Sequence, residues 1–178
     1  MTRRECSSPL LALLATIVGV GLANGAPLPT RKKKDAPKAL ARLTLWGCGG
    51  RPETAVALAE ASLVARSLTA LPPNVLTPGA YRDRLADMAD EMGWDSEEFD
   101  GQRLAGLGAG AFLAVVQGSS EDDAAIVRLS YEPADAVETV ALVGKGICFD
   151  SGGHNLKPAK YMAGMHEDMA GSAVVLGI

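Results

Sequence analysis

Four residues between Val143 and Gly171 have types and spacing that could do chemistry: Lys145, Asp150, Lys157 and Asp168. They lie in the string VGKGICFDSGGHNLKPAKYMAGMHEDMAG, where a continuously apolar segment runs out into Gly144-Lys145-Gly146 and Asp150 is followed by Ser151-Gly152-Gly153. Charged side chains at the exit of a buried strand sit where α/β folds place their ligands, and glycines let the backbone turn sharply and come close to a bound group. Two chemistries compete for the lysines. Gly-Lys-Gly has the look of a phosphate loop, but the fuller glycine spacing followed by Lys-Ser/Thr is absent, so that signal is weak. The other chemistry is metal binding, for which Asp150 and Asp168 offer hard carboxylate oxygens. A lysine joins such a site only as a neutral amine, a state favoured by burial and by an adjacent dication.

Each of these residues also has an ordinary explanation. Asp168 precedes a small-residue helical stretch, where a carboxylate is a common N-cap. Lys145 and Lys157, taken singly, are surface lysines at loop ends. His154 and His166 do not form a His-Glu-x-x-His pair; a solvated loop is the expected setting for both, with His166 close to Asp168. Cys148 reads as a small core residue, since no oriented Cys–His pair accompanies it, and Ser151 as a turn residue.

The elements that must position these residues follow from periodicity and punctuation. Glu138 to Gly144 is the best central-strand candidate, because Val140-Ala141-Leu142-Val143 is unbroken apolar sequence. From Met169 onward the chain reads as a small-residue helix whose apolar face should pack on something beyond this chain. Upstream, Ala41 to Trp46 alternates as a strand does and Gly47 to Gly50 ends it. Pro52-Glu53 opens a helix through Leu68, stopped by Pro72-Pro73. Thr77-Pro78 is a cap with proline in the first turn, starting a helix through Met92 that Gly93 closes. Trp94 to Phe99 is a short strand or its approach, and Asp100 to Leu107 a short helix. Phe112 to Val116 and Ala125 to Leu129 are read as short strands.

Composition sets bounds on the partners. Nearly half of the 178 residues are apolar, aromatics are scarce and glycines number 20, which suits an α/β protein with close helix–sheet packing. A net charge of −4 gives no general case for nucleic acid, and Arg31-Lys32-Lys33-Lys34 reads as a solvated linker. Three separated cysteines, Cys6, Cys48 and Cys148, indicate neither a disulfide framework nor a zinc ribbon. The apolar run Leu10 to Ala23, after Arg3-Arg4 and before Asn24-Gly25-Ala26, has the outline of a secretory leader, and it is too short for a confident membrane span.

GKGICFDSGG-x-x-LKP followed by M-x-x-D-M-x-G-S-A closely resembles the signature of the leucyl (cytosol) aminopeptidases, with looser likeness in Asn74 to Pro78 and in Leu113 to Ser119. The resemblance implies an α/β chain: the end of an N-terminal α/β domain in residues 1–50, then a connecting helix and the first part of an αβα-sandwich metallopeptidase domain in residues 51–178. It implies removal of N-terminal amino acids from peptides with two divalent ions, zinc or manganese. By the same resemblance Lys145 is an amine ligand of one ion, Asp168 binds that same ion and Asp150 bridges both. Lys157 is the catalytic cation that polarises the substrate carbonyl. Family members carry an apolar helix, a Lys-rich stretch and a strand at the N-terminal position seen here, which favours a cytoplasmic protein over a secreted one; they assemble as hexamers.

Departures from the family pattern set a further expectation. Asn-Thr-Asp-Ala-Glu-Gly-Arg, the second family signature, occurs nowhere in the 178 residues, and Ala70 stands where the family has Asn. Two dications carry four positive charges, while Asp150 and Asp168 supply two negative ones. This polypeptide alone is therefore expected to be an incomplete chain that binds metal weakly and has no peptidase activity. The alternative from another class is a non-catalytic remnant or binding subunit that keeps part of the fold.

Overall fold

The computed structural model describes residues 52–119 and 122–178, together with the single positions Gly19 and Arg42. The strand expected at 41–46, the basic cluster at 31–34, Cys6 and Cys48 lie outside the described residues, as does the apolar run 10–23 apart from Gly19, which is helical. The chain divides into two compact units, one made of Met1–Leu71, Val143–Gly146 and Glu167–Ile178, the other of Pro72–Leu142 and Ile147–His166.

In the first unit, helix α1 (Pro52–Thr69) packs against the last helix of the chain, Ala170–Leu176. In this unit Ala55, Ala59 and Ala173 are almost wholly buried, alongside Met169, Leu68 and Leu71. Near the end of the last helix, a Cβ on Gly177 would stand 2.6 Å from the Ala61 carbonyl oxygen. The apolar face of this helix, expected to pack on something beyond this chain, has a partner within it in α1; Ala173 is buried, whereas Val174 is 53% exposed.

The second unit begins with helix α2 (Pro78–Met92), whose ends follow local chemistry. Thr77 Oγ1 accepts from the Ala80 amide at 3.2 Å, and Pro78 fills the first turn, where no amide is needed. A third device comes from far along the chain, since the Gly79 amide donates to Asp123 Oδ2 at 2.9 Å. Gly93 ends the helix in the left-handed conformation, φ 68°, which costs glycine nothing. Strand β1 (Asp95–Asp100) then pairs antiparallel with β2 (Ala125–Ser130), with Asp95 opposite Ser130 and Asp100 opposite Ala125. Between them lie α3 (Gly101–Gly106), capped by Asp100 Oδ1 on the Arg103 amide at 2.8 Å, and α4 (Gly110–Val116). Arg82 ties α2 to β1 through Glu98 and donates to the Asp123 carbonyl at 2.9 Å. Leu76, Tyr81, Ala89, Leu104 and Cys148 are the buried side chains of this unit.

Two expected strands take other forms. Phe112 to Val116 is part of α4, with Leu113 N bonded to Ala109 O at 3.1 Å and Gln117 N to Leu113 O at 3.1 Å. Five apolar residues fit either period, and here the local i→i+4 bonds win over a ladder. Glu138 to Gly144 enters no ladder among the described residues. A central strand needs a hydrogen-bonding neighbour on each edge and cover on each face; among the described residues β1 and β2 pair only with each other.

After this segment come α5 (Ala159–Met162), a single 3₁₀ turn at Met165–Glu167 and α6, the Ala170–Leu176 helix already placed against α1. No helix among the described residues is long and apolar enough to cross a membrane.

Candidate metal centre

Lys145 is positioned by the start of α6. The Ser172 amide donates to the Lys145 carbonyl at 2.9 Å, and the Ser172 hydroxyl donates to Met169 O at 2.8 Å. This docking needs bare backbone: a Cβ on Gly144 would lie 2.4 Å from Ser172 Cα, and one on Gly171 would lie 3.0 Å from the Lys145 amide nitrogen. Lys145 Nζ then donates to Asp168 Oδ1 at 2.8 Å and stands 2.7 Å from Oδ2. The carboxylate is 18% exposed and the amine 52%. Although Oδ2 is close to the ammonium, it is buried without an aligned hydrogen-bond donor. Met169, not Asp168, occupies the N-cap position of α6, and it makes no side-chain cap. Asp168 therefore has the Lys145 amine as its partner in place of the capping role.

In the second unit, Asp150 and Lys157 form the other amine–carboxylate pair. Asp150 Oδ1 accepts from the Gly152 amide at 2.8 Å, closing a tight side-chain turn, and Oδ2 is 3.0 Å from Lys157 Nζ. The Lys157 amide donates back to Ser151 O at 2.9 Å, so residues 151–157 close into a ring of backbone. Gly152 (φ 91°) and Gly153 (φ 66°) make the bend, and a Cβ on Gly152 would fall 2.5 Å from Asn155 O. Ser151 is a turn residue here, its hydroxyl accepting from Gly153 N at 3.4 Å. Lys157 Nζ also lies 2.9 Å from Met165 Sδ, a neighbour that sequence reasoning missed. Asp123, the remote anchor of α2, was missed too. No local spacing rule links Lys157 to a thioether eight residues on, or Asp123 to an amide 44 residues back.

The remaining candidates fall outside this chemistry. His154 is exposed and His166 lies half-buried in the 3₁₀ turn. Cys148 is buried, and loss of solvent, aided by the negative charge of Asp123, pushes its thiol up to about 11. A thiol so disposed is not a nucleophile near neutrality. Among the described residues no group of three or more His, Cys, Asp and Glu side chains could hold a metal ion. In the first unit the donor types nevertheless suit a divalent ion, an amine nitrogen facing a carboxylate that keeps one buried oxygen without a donor; in the second unit, taken by itself, Asp150 is a carboxylate fixed by its own turn.

The chain is thus an α/β protein that carries two lysine–aspartate pairs on glycine-shaped backbone. Residues 63–178 match the catalytic-domain model of the cytosol aminopeptidase family. The chain belongs to that family. It is 41% identical to a probable cytosol aminopeptidase of Methylorubrum extorquens over 152 residues, which are 82% of this chain and 30% of that protein. Among solved structures, it is similar to leucyl aminopeptidase from Trypanosoma brucei in complex with actinonin, at 28% identity and a TM-score of 0.76, over 96% of this chain and 34% of that one. It is similar as well to the bottromycin maturation enzyme BotP in complex with Mn, at 32% identity and a TM-score of 0.71, over 95% of this chain and 36% of that one. The chain therefore spans about a third of the length of the relatives it matches.

Proposed function

We propose that this chain carries part of the active site of a metal-dependent aminopeptidase, which releases N-terminal amino acids from peptides by two-metal hydrolysis in the cytoplasm. The observation that carries the proposal is the pairing of Asp168 with the Lys145 amine, where a carboxylate before a helix would ordinarily cap it. In this reading Lys145 and Asp168 would hold one divalent ion, and Asp150 would be a ligand shared between that ion and a second. Manganese or zinc bound there supplies a water of lowered pKa and a seat for the free α-amine of the substrate; BotP, one of the similar structures, is described with Mn. Lys157 contributes a fixed positive charge, steadied by Asp150 and Met165, that stabilises the developing oxyanion.

Residues 51–178 would then be the connecting helix and the first part of the catalytic domain, and residues 1–50 the end of the preceding one. Two carboxylates against four metal charges leave the centre poorly compensated, so the 178 residues by themselves bind metal weakly and hydrolyse no peptide. Assembly as a homo-hexamer belongs to the completed enzyme.

The test joins this chain to the remaining part of the Methylorubrum extorquens relative and measures metal content together with hydrolysis of aminoacyl-p-nitroanilides. Asp150→Ala should abolish activity and metal pairing, whereas Lys157→Ala should lower turnover and leave metal content nearly intact. A metal site emptied by Lys157→Ala would refute the division of labour between the two lysines, and full activity of Asp150→Ala would refute the peptidase reading itself.

A further inference from the structure

Lys157 Nζ stands 3.0 Å from Asp150 Oδ2 and 2.9 Å from Met165 Sδ, and all three residues belong to the second unit. A carboxylate is the usual partner of an ammonium. A thioether is a weak acceptor, and it is a side chain that oxidants convert to the sulfoxide. Met165 is half-buried, and the side chains of Lys157 and Asp150 are 28% and 35% exposed, so solvent-borne oxidants reach the group. Two other methionines bracket its exposure: Met92 is 60% exposed and Met169 is wholly buried.

Oxidation would turn this contact from attractive to repulsive. A hydroperoxide gives its near oxygen to a sulfur lone pair; the O–O bond breaks, the far oxygen leaves as water or an alcohol with the peroxide proton, and sulfur gives up two electrons to become the sulfoxide. Sulfur offers two lone pairs, and each yields one epimer. An oxygen formed on the side of Lys157 needs an S–O bond of about 1.5 Å and a contact of about 2.8 Å to the amine, where 2.9 Å now separates sulfur from nitrogen, so the amine must move off by about 1 Å. An oxygen formed on the other side leaves the positive end of the S–O dipole against an ammonium 2.9 Å away. Both epimers expel Lys157 Nζ from its place beside Met165.

We propose that Met165 is a reversible oxidation site for hydroperoxides, at which formation of the sulfoxide displaces the Lys157 amine. The consequence for hydrolysis rests on the role given to Lys157 in the peptidase reading; the displacement itself does not, and its test measures no activity. The 178-residue chain is treated with hydrogen peroxide, labelled briefly with acetic anhydride, and digested after glutamate. Peptide 139–167 then holds both Lys157 and Met165, so mass spectrometry scores acylation of the lysine on molecules with and without the sulfoxide. Met92 and Met165 should oxidise about tenfold or more faster than Met169. Lys157 should acylate about threefold or more faster where Met165 is oxidised, while the already exposed Lys160 stays unchanged. Methionine sulfoxide reductases A and B, one for each epimer, should together restore both values. Met165→Leu keeps a similar volume without the sulfur, and it should abolish the effect of peroxide on Lys157 while Met92 still oxidises. The proposal is overturned if Met165 oxidises no faster than Met169, if its sulfoxide leaves acylation of Lys157 as before, or if peroxide raises that acylation equally in Met165→Leu.

Discussion

Replacing Gly144 with alanine tests whether the seating of Lys145 depends on direct backbone-to-backbone contact. The added Cβ would stand 2.4 Å from Ser172 Cα, 2.7 Å from Gly171 O and 2.7 Å from Ser172 N. All three are main-chain atoms, so no side-chain rotation relieves the overlap, and ordinary contact requires a separation of about 1 Å more. An opening of that size would stretch the 2.9 Å bond from Ser172 N to Lys145 O to about 3.9 Å, beyond hydrogen-bonding range. Overpacking costs about 1–3 kcal/mol, and the lost bond adds about 1 kcal/mol. The positive-φ glycines do not include Gly144, so alanine strains no torsion there and regains about 0.4–1 kcal/mol through the unfolded chain. The net expectation is a loss of about 1–3 kcal/mol, a large share of the stability of an ordinary domain. Urea unfolding followed by far-ultraviolet circular dichroism measures it, and faster exchange of the Ser172 amide locates it. Gly146→Ala is the matched control, because its Cβ would meet nothing nearer than Ser172 Oγ at 3.4 Å, a movable side-chain atom. The reasoning fails if Gly144→Ala unfolds within about 0.5 kcal/mol of both the parent and Gly146→Ala.

Three further outcomes are expected. Gly152→Ala forces a side chain onto φ 91° and to 2.5 Å from Asn155 O, so it should destabilise by about 1–3 kcal/mol and free the Asp150–Lys157 loop to faster amide exchange. Arg82→Ala removes the link among α2, Glu98 and the Asp123 carbonyl; with both partners only partly exposed, a loss of about 1–2 kcal/mol in thermal unfolding is expected, and adding Glu98→Ala should cost little more. Cys148 holds its proton up to about 11 when folded, against 9.0 ordinarily, so the unfolded chain ionises first and stability should fall as pH climbs from about 9 toward 11. Below pH 9 the thiol contributes no slope. Cys148→Ala should flatten the alkaline decline, and iodoacetamide at pH 8 should modify the folded thiol far more slowly than the denatured one.

What could be read from the sequence was what local chemistry decides. Thr77, Pro78 and Gly93 bound α2 because a hydroxyl, a ring and a left-handed torsion act within a few residues of themselves. Asp100 works the same way at the junction of β1 and α3. Phe112 to Val116 misled because a short apolar run has no period of its own, and the competing bonds were settled by the neighbouring turns. Glu138 to Gly144 has the composition of a covered strand, yet a ladder is a property of two segments, and among the described residues this one enters none. Its pattern records an environment, not a conformation.

The lysine–aspartate pairs sit at the other limit. Twenty-three residues separate Lys145 from Asp168, and no helical or strand period brings such positions together. Their association was legible only through resemblance. The physical account comes from α6, whose first turn accepts the Gly144-Lys145 backbone because glycine stands at 144 and at 171. Once that backbone is seated, the N-cap position falls to Met169, and the Asp168 carboxylate turns to the lysine amine. An aspartate one residue further along would have capped the helix and left Lys145 without its partner. The choice between a structural and a chemical role for Asp168 thus turns on a register of one residue, and that register is held by the same glycine contacts that Gly144→Ala would break.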